Sequence, residues 1–349
     1  MPRLRRVDCS APGLTRRRRG KGFEYVDSTG ARVEDPETLL RIRQLGIPPA
    51  WTNVWICSHP RGHLQAVGTD AAGRRQYLYH EAWRQRRDAE KFEHMIEFAR
   101  ALPTIRRICD RDLERPGLGR ERVLGCAVRL LDRGFFRIGT EGYAEQNQTY
   151  GLATMQKKHV RLKDGVIHFD YVAKSGKRRV HALVDPAIFD VVAALKRRRG
   201  GGPELLAYKE GRDWVDVKSL DINLYIKEIT GDDFTAKDFR TWNATVLAAV
   251  GLAVSGEAAK SKTARKRAVS RAIQEVAHYL GNTPAVCRAS YIDPRVFDRY
   301  QSGWTISPAL DELAADTEFG ELSTQGVVEK AVLDLLEDRR EAETIEKIA

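Results

Sequence analysis

Tyr291 stands in a helix-breaking segment, Leu280-Gly281-Asn282-Thr283-Pro284 running on to Ser290-Tyr291-Ile292-Asp293-Pro294, and cationic side chains precede it at breaks in the chain. Arg137 lies in Phe135-Phe136-Arg137-Ile138-Gly139, an apolar segment that delivers one guanidinium before a glycine ends it. Lys174 opens the turn sequence Lys174-Ser175-Gly176-Lys177, and Asn282 precedes Tyr291 by nine residues. Arg240 lies in Lys237-Asp238-Phe239-Arg240-Thr241-Trp242, early in a helical pattern whose apolar face continues through Val246, Leu247 and Val250. A phenol, with a reference pKa of about 10, attacks only where cations stabilise both the phenolate and the charge developing on its target. These types suit transesterification at a phosphodiester. Two guanidinium forks match the non-bridging oxygens and keep their protons. A hairpin lysine with a pKa lowered by neighbouring cations can protonate the leaving 5′ oxygen. The Asn282 amide adds an uncharged hydrogen bond. No carboxylate cluster stands ready for a metal, and no metal is expected.

Charge supports a polyanionic partner. The net charge is +11, and residues 1–22 carry +7 while residues 310–349 carry −8, so the body between them is strongly basic. A hydrophobic fraction of 42% with 31% charged residues describes a globular chain long enough for two domains. Neither a membrane-length apolar run nor a secretory h-region is present, which leads us to expect a cytoplasmic, nucleoid-associated protein with no membrane partner. The five scattered cysteines, without a Cys-x-x-Cys pair, read as reduced thiols. Gly13 to Lys21 has the wrong glycine spacing for a phosphate loop, so no nucleotide cofactor is expected.

The elements that must position these residues fall into an α+β arrangement. After a basic arm over 1–22, Phe23–Asp27 and Ala31–Glu34 flank a turn at Ser28-Thr29-Gly30, and Asp35-Pro36-Glu37 starts a helix that Gly46 stops. Three β-rich runs, 53–58, 64–69 and 76–80, complete a small antiparallel sheet domain over 23–80. A larger, mainly helical domain over 81–309 is interrupted by a meander over 160–184 whose hairpin carries Lys174. Beyond Pro186 the pattern reads as mainly helical to the end, with breaks at Pro203, Gly211, Gly231, Gly251 and Gly281. Residues 253–271 read as a linker into a basic helix, and 310–349 as an acidic helical tail.

Taken together, the segment around Arg137, the Lys174 hairpin, Lys237–Thr241, and Leu280–Pro284 followed by Ser290-Tyr291 resemble the short, poxvirus-like type IB DNA topoisomerases found in bacteria, over about Phe23 to Tyr300. The resemblance implies a C-shaped, monomeric clamp on duplex DNA. It implies that Tyr291 forms a 3′-phosphotyrosyl link, that Arg137 and Arg240 stabilise the transition state, that Lys174 is the general acid, and that Lys237 contacts phosphate. Gly73-Arg74-Arg75-Gln76-Tyr77-Leu78-Tyr79-His80 resembles the family's strand that enters the major groove, with Gln76, Tyr77 and Tyr79 as DNA contacts and Tyr143 as another. Asn282 departs from the histidine of better-known viral members. His278 lies four residues earlier, off the motif position. The alternatives are a tyrosine recombinase, whose pattern commonly has histidine where Lys237 stands here, and a non-catalytic DNA-binding clamp.

Overall fold

The computed structural model describes residues 3–256, 261–316 and 325–348. Parts of the expected linker and of the acidic tail lie outside the described residues. The chain forms two compact units, Met1–Glu93 and His94–Ala349. None of the described helices is long and apolar enough to cross a membrane.

The first unit contains β1 (Leu14–Arg19), β2 (Gly22–Val26), α1 (Pro36–Gln44), β3 (Thr52–Ile56), β4 (Leu64–Thr69) and β5 (Arg75–Tyr79). Its antiparallel sheet has the order β2-β1-β3-β4-β5. The helix begins where Asp35 accepts a hydrogen bond from the Thr38 amide at 2.8 Å and Pro36 occupies the first turn. Leu14, Ile42, Val54, Ile56 and Ala66 form the core between helix and sheet. The hairpin expected at Ser28-Thr29-Gly30 is reduced to one bridge, Val26 to Arg32; the strand before it is β1, drawn from the basic segment and paired with β2 through a turn at Gly20. Within β1, Arg16 is structural. It donates to the carbonyls of Ile47, Pro48 and Trp51 at 3.3, 3.1 and 2.5 Å and stacks on Phe23.

Helix α2 (Glu81–Leu113) leads into the second unit, which is mainly helical: α3 (Arg120–Gly134), α4 (Glu141–Asn147), the meander β6 (Val160–Lys163), β7 (Val166–Ala173) and β8 (Lys177–Val184), then α5 (Pro186–Arg197). There follow β9 (Ala207–Glu210), β10 (Asp213–Asp216), α6 (Ser219–Thr230), α7 (Ala236–Val254), α8 (Lys262–Leu280), α9 (Pro284–Ser290) and α10 (Pro294–Gln301). The chain closes with β11 (Trp304–Thr305), α11 (Ser307–Asp316), α12 (Val327–Leu336) and β12 (Glu346–Lys347). Beyond Pro186 the chain is mainly helical, as expected, with two small antiparallel ribbons that the sequence pattern did not reveal, β9-β10 and β11-β12. Gly231 and Gly281 end helices in left-handed conformations, as their spacing suggests. Gly251 does not break α7. A Cβ there would lie 3.6 Å from the Ala272 Cβ, so the glycine brings α7 and α8 close together.

Central to this unit is α7, with Phe239, Arg240, Trp242, Ala244 and Thr245 buried. Trp242 donates to Glu329 of α12 at 2.9 Å; Arg106 of α2 bonds both Glu329 and Asp132 of α3, at 2.6 and 2.8 Å. Part of the acidic C-terminal segment is therefore core: Val328, Ala331, Val332, Leu335 and Leu336 of α12 are buried.

Candidate active site

Arg137 is delivered by a sharp exit from α3. Phe135 takes a left-handed conformation (φ 54°) at the end of the helix, and Phe136, fully buried, packs edge-on against Phe169 and His181 of the meander. The chain is then pinned beyond Arg137, because Gly139 and Gly151 meet backbone to backbone: a Cβ on Gly139 would lie 2.8 Å from the Gly151 Cα. Backbone bonds from Leu152 to Arg137 and from Ala153 to Ile138, each 2.8 Å, hold the same crossing. The half-buried guanidinium donates to the Gly281 carbonyl at 3.3 Å and to Oδ1 of Asn282.

Arg240 comes from the buried side of α7. It donates to the Phe135 carbonyl and, at 2.9 Å, to the Leu280 carbonyl. Burial, then the nearby charge of Arg137, lowers its pKa to about 10, which leaves it cationic at neutral pH. The ring of Tyr291 lies against this guanidinium, with its centre 5.5 Å from the guanidinium carbon. Tyr291 follows the last turn of α9, where its amide bonds the Cys287 carbonyl at 3.0 Å, and Asp293 caps α10 just beyond. The two helices hold the tyrosine between them, as the Pro284 and Pro294 starts suggest.

Because a guanidinium has only donors, the Asn282 amide must turn its oxygen toward Arg137. Its Nδ2 is consequently buried with no conventional hydrogen-bond partner among the described residues, and the Cys287 thiol lies beside it. Lys174 is exposed at the β7-β8 turn, which Ser175 and Gly176 close with positive φ of 68° and 72°. Its ammonium faces the Tyr143 ring at 5.6 Å, so two expected site residues from separate elements meet. Arg137, Lys174 and Arg240 line one small cleft together with Tyr150, Tyr171 and Arg179. Lys237 is exposed in the first turn of α7, three residues before Arg240. His278 is exposed on α8 and lines a different cleft, with Phe136 and Tyr279.

Beneath the site, the inward side of the meander carries Ile167, Phe169, Tyr171 and Ala173 from β7, with Arg179, His181 and Leu183 from β8. Burial, assisted by the charge of Arg179, lowers the His181 pKa to about 4 and keeps its imidazole uncharged at neutral pH. Arg179 was not singled out from the sequence. The available signal was an arginine at an inward position of an alternating strand.

In the N-terminal unit, Tyr77 and Tyr79 are exposed on the edge strand β5, with near-parallel rings whose centres are 6.3 Å apart. Alternation sends Gln76 to the other side, where its amide donates to Asp70 at 2.9 Å. The three expected contacts therefore do not share one face.

A basic cluster of this kind is compatible with several phosphodiester chemistries, and comparison with known proteins decides among them. Residues 80–315 match the model of the eukaryotic DNA topoisomerase I catalytic core, and residues 22–70 that of the bacterial DNA topoisomerase IB N-terminal domain. The chain belongs to the type IB DNA topoisomerase family. The DNA topoisomerase 1B of Acanthamoeba polyphaga mimivirus is 32% identical over 297 residues, covering 83% of this chain and 88% of that relative. DNA topoisomerase 1 of rabbit fibroma virus (strain Kasza) is 24% identical, covering 80% and 89%, and DNA topoisomerase 1B of vaccinia virus (strain Copenhagen) is 20% identical, covering 66% and 71%. The enzyme is thus a type IB DNA topoisomerase acting on DNA, with a bacterial-type N-terminal domain, and the recombinase and non-catalytic alternatives are set aside.

Proposed function

We propose that the enzyme relaxes positive and negative supercoils by cutting one strand of duplex DNA through a 3′-phosphotyrosyl intermediate at Tyr291, letting the duplex rotate, and resealing it. The observation that carries this reading is the convergence of Arg137, Arg240, Asn282 and Tyr291 around the end of α8, with Lys174 lining the same small cleft as Arg137 and Arg240. Tyr291 attacks phosphorus and gives up its proton. Arg137 and Arg240 stabilise the charge that spreads over the non-bridging oxygens. Lys174 supplies a proton to the leaving 5′ oxygen, and religation reverses the exchange. The covalent link retains the energy of the phosphodiester, so neither ATP nor a metal ion enters the reaction. Lys237 contacts a backbone phosphate near the cut, Tyr143 makes another DNA contact, and Tyr77, Tyr79 and Gln76 of the 23–80 domain contact the duplex. The protein works as a cytoplasmic, nucleoid-associated monomer whose catalytic domain spans 81–309.

A plasmid assay in EDTA without nucleotide tests this: both positively and negatively supercoiled plasmid should relax fully, and dependence on ATP or magnesium would refute the proposal. Asn282 provides a finer test, because its oxygen holds Arg137 and it brings no charge of its own. Asn282→Ala should slow single-turnover cleavage by about tenfold to a hundredfold, the scale of one hydrogen bond to a charged group. Asn282→His should keep wild-type activity or exceed it, since a neutral imidazole can accept from Arg137 and donate from its other nitrogen. An inactive His variant would show that the site is built differently.

A further inference from the structure

We propose that Arg179 is a positioning residue for cleavage: by binding carbonyls at the C-terminal end of α8, it fixes the Lys174 hairpin against the same helix end that seats Arg137 and Arg240. The inference rests on the roles proposed above for those three residues.

The last carbonyls of a helix have no partners within it and carry the negative end of its dipole. In α8, guanidinium groups take them up in succession. Arg179 donates to His278 at 2.8 Å and to Tyr279, Arg240 donates to Leu280 at 2.9 Å, and Arg137 donates to Gly281 at 3.3 Å. Gly281 makes room for this arrangement. Its φ is +65°, and a Cβ there would stand 3.3 Å from the Arg179 guanidinium.

The three arginines come from different parts of the chain: the loop after α3, the meander, and α7. Arg179 is the one that shares a hairpin with Lys174. It pairs across the strands with Tyr171, two register positions back from the Ala173–Lys177 pair that closes the turn, or about 7 Å at the rise of an extended strand. Lys174 itself is exposed, with the Tyr143 ring as its cation–π neighbour. A lysine held so lightly depends on its hairpin for its position, and Arg179 bolts that hairpin to α8. Both terminal nitrogens of Arg179 are directed at carbonyls, so we assign it positioning rather than phosphate contact.

If Arg179 acts through the general acid, its loss should matter only when the leaving group needs a proton. The test compares two short duplexes that trap the covalent adduct, one with the normal 5′ oxygen at the scissile phosphate and one with sulfur in its place. A thiol, with a pKa of about 8.5, leaves without protonation. Arg179→Ala should cleave the oxygen duplex on the order of a hundredfold more slowly and the sulfur duplex nearly as fast as wild type, with unchanged DNA affinity. Arg179→Lys should recover most of the rate, because its ammonium can still donate to the α8 carbonyls. Should the alanine variant fail to fold, Arg179→Gln carries the same comparison. Normal cleavage of the oxygen duplex, or equal losses on both duplexes, would overturn the inference. Failure of the wild-type enzyme to form an adduct with either duplex would instead overturn the underlying assignment.

Discussion

Replacing Tyr291 by Phe is expected to abolish the covalent adduct and all plasmid relaxation while leaving DNA binding unchanged. The substitution removes one oxygen and keeps the ring that lies against Arg240, so the packing around α9 and α10 survives and only the nucleophile is lost. Its effect should therefore be the largest of any conservative change in the chain. Detergent trapping of enzyme on plasmid, followed by digestion, should yield a DNA-linked peptide containing residue 291 from wild type and none from the variant. Relaxation by the Phe variant, or a link at another residue, would end the proposed mechanism.

The next largest loss is expected at Arg240. The residue is 4% exposed and its guanidinium joins the carbonyls of Phe135 and Leu280, so it spans the loop that delivers Arg137 and the helix end that receives it. Arg240→Ala should slow single-turnover cleavage by about a hundredfold to a thousandfold, the usual cost of losing one oxyanion donor. It should also lower stability by about 1–3 kcal/mol, because two buried carbonyls lose their donor. Arg240→Lys keeps the charge but cannot span both carbonyls with a planar fork, so it should recover stability better than rate. Cleavage kinetics beside thermal unfolding separate the two effects, and an alanine variant that cleaves at the wild-type rate would remove Arg240 from the reaction.

Much of the site's surroundings could be read from the sequence because its residues lie beside residues that interrupt regular structure. Gly139, the Lys174–Lys177 turn, Gly281, Pro284 and Pro294 each mark a place where the backbone must change direction, and the structure changes direction at each. The turns at Gly165 and Lys174–Lys177 likewise located the meander, whose expected strands match the observed ones to within one residue. Facing was harder. Arg179 is exceptional only once β8 is known to turn it toward α8, and Gln76 is separated from Tyr77 and Tyr79 only by the pleat of β5. Composition counts charges without saying how they are used: Arg16 belongs to a basic run, yet its side chain ties three carbonyls of its own domain together. The β9-β10 ribbon escaped notice because its strands are four residues each, too short for alternation to stand out from the charged residues around Gly211. Gly251 misled because close helix packing selects glycine as readily as a chain break does.

The bond between Trp242 and Glu329 joins residues 87 positions apart, and Arg106 reaches across 223 positions to the same carboxylate. Synthesis delivers the chain from its N-terminal side, so Tyr291 is polymerised before the Glu329 that completes the wall behind α7. A chain ending between these two points contains Tyr291 but lacks the carboxylate that joins α2 to α7. Closure of the wall behind α7 thereby waits on synthesis through residue 329.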